Sequence, residues 1–217
     1  MRLALGEVML RAGREAEAGD VLRQCLAETH DHPRALYLLG RIAERGGQKA
    51  EAKRLYREAT QRGVVDGDAY ARLAQFASES GDRRAAIDLY ASALRFDPRS
   101  VLYLNNMAVL LGDEEGRLDE AVTAAVNANA LAPDNADVAD TCGWLLFRVG
   151  RVKEAAALLG PAAAKLKTSA VLQYHAGMAL SRLSQTTDAR DFLQRALRLE
   201  PNFPGADAAR AEIEKLR

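Results

Sequence analysis

One interval, 34 residues, runs through the whole of this chain. Small residues recur at Gly6, Gly40, Ala74, Ala108, Gly143 and Gly177, in steps of 34, 34, 34, 35 and 34. A second series, Ala18, Ala52, Ala86, Ala121, Ala155 and Ala189, keeps the same stride. So does a third: Cys25, Ala59, Ala93, Ala128, Ala162 and Ala196. Between the first two series stand Gly13, Gly47, Gly81, Gly116 and Gly150, with Ser184 in the last repeat. Self-similarity at a fixed period of this size marks a stack of identical supersecondary units, because one unit alone cannot bury its apolar face.

Two antiparallel helices joined by a short turn approach closely only where side chains are small. The first series is therefore expected on the first helix of each repeat, facing the alanine of the second helix. The third series admits the following repeat. A glycine past a helix end takes the left-handed conformation that closes it. A larger residue (Leu22, Tyr56, Tyr90, Leu159, Leu193, and Ala125 in the fourth repeat) fills the layer between the helices. Pro98, Pro133 and Pro201 follow second helices and stop them. The one inserted residue lies in the turn "LLGDEEGRLDEA", where added length costs little. Hydrophobic residues make up 48% of the chain and aromatics only 6%, which suits close-packed helices built from alanine and leucine.

This pattern resembles the tetratricopeptide repeat over nearly the whole chain. The repeats run over 1–32, 33–66, 67–100, 101–135, 136–169 and 170–203. "DAYARLAQFASESGDRRAAIDLYASALRFDP" and "VLQYHAGMALSRLSQTTDARDFLQRALRLEP" carry the likeness best. Leu36, Tyr70, Leu104, Ala139 and Gln173 replace the family's tryptophan near the start of the first helix. The resemblance implies an all-α fold. It is a right-handed α-solenoid of six helix-turn-helix repeats in a single domain over 1–217, closed by a capping helix at 204–217. Ala206, Ala209, Ile213 and Leu216 form one stripe of that last helix. The first repeat starts two residues inside its first helix. The apolar face around Leu3, Leu5 and Leu10 is thus expected to self-associate or to fray, since a terminal repeat has only one neighbour.

Charge excludes some partners. Lys+Arg and Asp+Glu number 30 each, so no net field draws the chain to nucleic acid. No apolar run is long enough to insert in a membrane. Locally, residues 101–150 carry eight acids against Arg117 and Arg148, while 151–200 carry eight bases against four acids; both read as solvated helix faces. Catalytic and metal chemistry find no footing. Cys142 and Cys25 stand at packing positions. His30, Asp31 and His32 read as a solvated turn rather than a metal site, and His175 has no carboxylate at helical spacing before it. No cofactor, metal or catalytic set is expected, and the chain is read as a non-enzyme.

By the resemblance, positions 2, 5, 9 and 12 of each repeat face a concave groove. In the C-terminal half the expected partner-binding residues are Leu102, Asn105, Val109, Asp140, Trp144, Phe147, Arg148, Val171, Tyr174, Met178 and Arg182. The N-terminal half presents Arg34, Tyr37, Arg41 and Glu44, then Asp68, Ala71, Gln75 and Ser78. Asn106 matches a family peptide-binding asparagine, but Arg72, Thr141 and His175 stand at the equivalent places, so an extreme C-terminal carboxylate is not the expected ligand. The expected function is a scaffold for a protein or peptide ligand. The stretch "YLNNMAVLL…GRLDEAV…ALAPDNADVADTCGWLLFRVGRVKEAAALL" looks like bacterial envelope and exopolysaccharide-export repeat proteins. The alternative is the regulatory region of a larger enzyme such as a glycosyltransferase. The location is cytoplasmic by default, and periplasmic if the chain belongs to an envelope lipoprotein.

Overall fold

A computed structural model describes residues 1–29, 32–63 and 67–216. They form thirteen α-helices, with no strand among the described residues. The chain divides into two compact halves, Met1–Pro98 and Arg99–Arg217. The first holds α1 (Arg2–Arg11), α2 (Glu15–Glu28), α3 (Pro33–Arg45), α4 (Lys49–Gln61), α5 (Asp68–Glu79) and α6 (Arg83–Leu94). The second holds α7 (Val101–Gly112), α8 (Leu118–Leu131), α9 (Ala136–Arg148), α10 (Val152–Lys165), α11 (Ala170–Arg182), α12 (Thr186–Leu199) and α13 (Ala206–Lys215). Each odd helix packs most extensively on the even helix that follows it. Within each half the even helix then packs on the next odd one.

The small-residue series does its work more directly than the sequence reading supposed. A Cβ on Gly6, Gly40, Gly143 or Gly177 would lie 2.8, 2.6, 2.5 and 2.6 Å from the side chains of Leu22, Tyr56, Leu159 and Leu193 respectively. The nearest group to each glycine is therefore the large residue of the partner helix, sixteen positions on; at Gly177 the carbonyl of the second-series Ala189 also comes within 3.1 Å. Leu22, Tyr56, Leu159 and Leu193 are all 0% exposed, so the groove that the glycine opens is fully used. The alanines of the second series are also wholly buried, as are most of the third.

The turns repeat in the same way. Gly13, Gly47, Gly81, Gly116 and Gly150 all have φ between 73° and 80°. In five repeats the residue after the left-handed position donates its N–H to the carbonyl five residues back, as Gln48 does to Ala43 at 2.8 Å and Arg151 to Leu146 at 2.9 Å. The fourth repeat, with its inserted residue, departs: Arg117 N–H reaches Glu114 O instead. Ser184, at φ 59°, is the one non-glycine residue with positive φ among the described residues. A side chain there carries a left-handed penalty of about 1–2 kcal/mol, which glycine's larger loss of chain entropy partly cancels. Ser184→Gly is expected to stabilise the protein by roughly 0.5–1 kcal/mol in denaturant unfolding; a loss of stability would show that the hydroxyl has a role of its own.

Helix starts are fixed locally. Ser100, Asn135 and Ser169 cap α7, α9 and α11 by accepting backbone N–H bonds, and Asp82 caps α6. Pro33 opens α3, and α6, α8 and α12 end shortly before Pro98, Pro133 and Pro201. At the tryptophan-replacing position of the sixth repeat, Gln173 is 0% exposed. Its Nε2 donates to Ala163 O (2.7 Å) and Leu166 O (3.2 Å), closing the end of α10, and its Oε1 accepts from Arg195 (3.3 Å). Charged residues mostly pair on exposed helix surface, as Arg14 with Glu17, Arg117 with Glu120 and Arg151 with Glu154. Such pairs shape the solvated face more than they hold the fold. At the N-terminal edge Leu3 and Leu10 pack on the core, while Leu5 and Val8 are exposed.

Candidate functional site

The expected groove residues lie on α7, α9 and α11 of the C-terminal half, where α7 neighbours α9 and α9 neighbours α11. On α7, Leu102 is 61% and Val109 47% exposed. They are seven residues apart and so share one helical stripe. Asn105 lies between them on that stripe, its buried Oδ1 without a hydrogen-bond partner. On α9, Trp144 and Phe147 are partly buried and stack at 5.1 Å. Arg148 is exposed and makes no ion pair among the described residues; its guanidinium lies against Gly112 of α7, whose missing Cβ would sit 3.3 Å away. Arg182 of α11 lies 5.5 Å over the Phe147 ring.

Asp140 and His175 come together across repeats. His175 Nδ1 lies 2.6 Å from Asp140 Oδ1, and the imidazole stacks on Trp144 with centroids 3.9 Å apart. The two side chains are 12% and 22% exposed. Inspection along one helix misses this pair, because the carboxylate comes from the preceding repeat. The available signal was the period itself: Asp140 and His175 hold positions 5 and 6 of successive repeats. The hydrogen bond fixes the imidazole plane, and the imidazole in turn supports the indole.

Tyr174 corrects the expectation of an open groove position. It is 7% exposed and belongs to the core of the C-terminal half with Leu193, Phe203, Ala206 and Ala209. Its ring lies 5.5 Å from Phe203 and 5.7 Å from Trp144. The cause is the chain after α12. Gly205, at φ 108°, brings backbone so close that a Cβ would lie 2.7 Å from the Tyr174 ring. From there α13 folds back onto α11, with Ala206, Ala209, Ile213 and Leu216 against the core as its stripe implied. Val171 and Met178 pack partly buried on the same cluster. Ser181 donates to Glu212 of α13 at 2.5 Å. Tyr174, Val171 and Met178 are thus largely covered, and among the expected apolar groove residues Leu102 and Val109 of α7 stay exposed, with Trp144 and Phe147 of α9 partly buried.

Neither cysteine offers a nucleophile. Cys142 is 1% and Cys25 7% exposed, and burial pushes the Cys142 thiol up to about 11. Burial favours thiol over thiolate, so its contribution to stability is complete below the ordinary thiol range and fades as pH rises through about 11. In the native protein at pH 8 Cys142 is expected to resist a disulfide reagent and to react fully after denaturation; fast native labelling would contradict its place in the core. No group of three His, Cys, Asp or Glu residues suited to a metal occurs among the described residues. His30 and Asp31, from the turn considered above, lie outside the described residues. No described helix is long and apolar enough to cross a membrane.

Comparison with known proteins places this geometry. Residues 34–62, 69–102 and 170–203 each match a family model described as tetratricopeptide repeat. A TPR repeat-containing protein of Pseudomonas aeruginosa is 28% identical over 153 residues, 69% of this chain and 25% of that protein. The chain thus spans about a quarter of that relative's length. Among solved structures, YrrB, described as a TPR protein with an unusual peptide-binding site, superposes with TM-score 0.75 at 16% identity, over 88% of this chain and 97% of its own. Pseudomonas aeruginosa PilF gives 0.64 at 18% identity (85% and 88%), and MamA of Desulfovibrio magneticus RS-1 gives 0.66 at 15% (78% and 95%). At these identities the structural likenesses show the fold.

Proposed function

Because the chain is a tetratricopeptide repeat protein, we propose that it is a non-enzymatic scaffold whose C-terminal half holds a peptide or helix of a partner protein along α7 and α9. Proteins of this repeat are generally protein-interaction scaffolds. The observation that carries the finer reading is the exposed stripe Leu102–Val109 beside a helix bearing Trp144 and Phe147, with Arg148 unpaired at the rim. A protein of this size leaves large apolar side chains in such a row where something covers them. Trp144 is held from behind by His175 and Tyr174, so its ring is presented at little cost in side-chain entropy. The partner segment this face suits offers an aliphatic or aromatic stripe and a carboxylate for Arg148. The peptide-binding site named for YrrB supports the class of ligand. The resemblance to envelope and polysaccharide-export repeat proteins supports a role in bacterial envelope assembly. A relative of which the matched region is only 25% keeps a second reading open, in which this array recruits substrate or partner to an enzyme such as a glycosyltransferase.

Trp144 is the sole tryptophan and so reports on its own site. The test is a titration of its fluorescence with a synthetic panel of amphipathic peptides, each offering apolar residues at helical spacing and one glutamate. Saturable quenching or shift by a subset, lost on Leu102→Ser, is the expected result. If no peptide perturbs Trp144 while binding occurs elsewhere on the chain, the groove assignment fails.

A further inference from the structure

A second cleft, in the N-terminal half, has different chemistry. It lies between α1 and α3, encloses about 460 Å³, and is lined by Arg11, Arg34, Arg41 and Arg45 with Glu7, over Leu10, Leu38 and Ile42. Arg34 and Arg41 converge on one aromatic ring: their guanidinium carbons lie 5.1 and 5.9 Å from the centroid of Tyr37. Tyr37 is fixed in turn, since its hydroxyl donates to Asp68 of α5 at 3.1 Å. Two like charges held at one ring repel each other and need a counter-charge.

The nearby carboxylates are already engaged. Glu7 accepts from Arg34 (3.1 Å) and Glu15 from Arg45 (2.5 Å). Glu44 accepts from the Tyr56 hydroxyl at 2.6 Å and faces Arg72 at 3.7 Å. Asp68 takes the Tyr37 hydroxyl. Arg11 and Arg41 make no ion pair among the described residues, and both border the cleft. Solvent alone faces their charged ends, which leaves both guanidinium forks available to a carboxylate from outside.

We propose that this cleft is a second binding site, which takes an acidic, partly apolar segment of a partner polypeptide, its side-chain carboxylates held by Arg11 and Arg41. The planar guanidinium fork matches a carboxylate in two-point contact, and Tyr37 keeps the Arg41 fork in place. The apolar floor of Leu10, Leu38 and Ile42 gives leucine or valine side chains between the acids a place to pack. A nucleic acid backbone fits less well: Glu7 stands inside the cleft, the floor is apolar, and the chain's formal net charge of +0 supplies no long-range attraction. This site is independent of the face on α7 and α9, in residues and in ligand charge.

The test uses the whole chain and a fluorescein-labelled eight-residue peptide alternating glutamate and leucine, followed by anisotropy. Saturable binding that weakens as salt rises is expected. The same peptide with glutamine for glutamate is expected to bind at least about tenfold more weakly, and Arg11→Gln/Arg41→Gln to lose a similar factor. Neither arginine makes an ion pair among the described residues, and the double variant gives up only the Arg41 contact with the Tyr37 ring, so its thermal midpoint should fall by no more than about a few degrees. A Trp144→Ala variant should bind the acidic peptide unchanged. Equal binding of the glutamate and glutamine peptides, or undiminished binding by the double variant, overturns the proposal. So does tight binding of a single-stranded oligonucleotide in place of the peptide. A dimer of the free chain that the double variant dissolves, without peptide binding, also overturns it and gives the cleft to a second copy.

Discussion

Gly143→Ala is expected to lose about 3 kcal/mol of folding stability, at the upper end of what overpacking a core costs. The added Cβ would lie 2.5 Å from Leu159 Cγ, and Leu159 is 0% exposed, with nowhere to retreat. Leu159→Ala alone is expected to cost about 2–5 kcal/mol through lost burial and a cavity. The double variant should lose less than the sum, by about 0.5–3 kcal/mol of coupling, because the new methyl then fills space that the leucine has left. Gly160→Ala is the control. It adds a methyl one residue further along α10, where no atom beyond its chain neighbours and the helix's own backbone lies within 4 Å; helix propensity favours it by up to about 1 kcal/mol, crowding of the new Cβ by Pro161 offsets that gain, and stability should stay within about 0.5 kcal/mol. Additive losses at Gly143 and Leu159 in denaturant unfolding would mean that the two do not share one space.

Trp144→Ala is expected to weaken binding of a peptide identified on the α7–α9 face by about 2 kcal/mol or more, roughly thirtyfold. The same change removes ring contacts to His175, Tyr174 and Phe147. It should therefore also destabilise the fold, by less than the roughly 3–5 kcal/mol of a fully buried aromatic, because the indole is only partly covered. Leu102→Ser separates the two effects. Leu102 is 61% exposed, so its substitution should leave stability within about 0.5 kcal/mol while still weakening the same peptide. Unchanged peptide affinity in both variants, measured by calorimetry at matched folded fraction, would remove the groove from the α7–α9 face.

The period, the helix pairing and the turns were all legible in the residues, because each has a local cause. A glycine past a helix end, a proline after the next helix and a small residue every 34 positions are decided by sterics within one repeat. Even Ser184 could be recognised as a left-handed residue from its place in the glycine series. What each small residue faces was less legible. Gly143 packs against Leu159 rather than against Ala155, and spacing alone leaves the rotation of one helix about its axis open.

The candidate sites depended on contacts that no single helix contains. His175 found its carboxylate in Asp140, one repeat earlier, and Tyr174 passed from the groove to the core because α13 and Gly205 close over it. In the N-terminal half, Arg34 and Arg41 were visible as charges at inward positions. That Glu7, Glu15, Glu44 and Asp68 were already taken, leaving Arg11 and Arg41 without an ion pair among the described residues, emerged only once α1 to α5 were packed. By itself the sequence determined the repeat, its helices and their turns, since those follow from backbone sterics and packing at short range. The tertiary structure decided which charges are neutralised and which apolar rings stay open, since pairing and burial are set by neighbours a full repeat away.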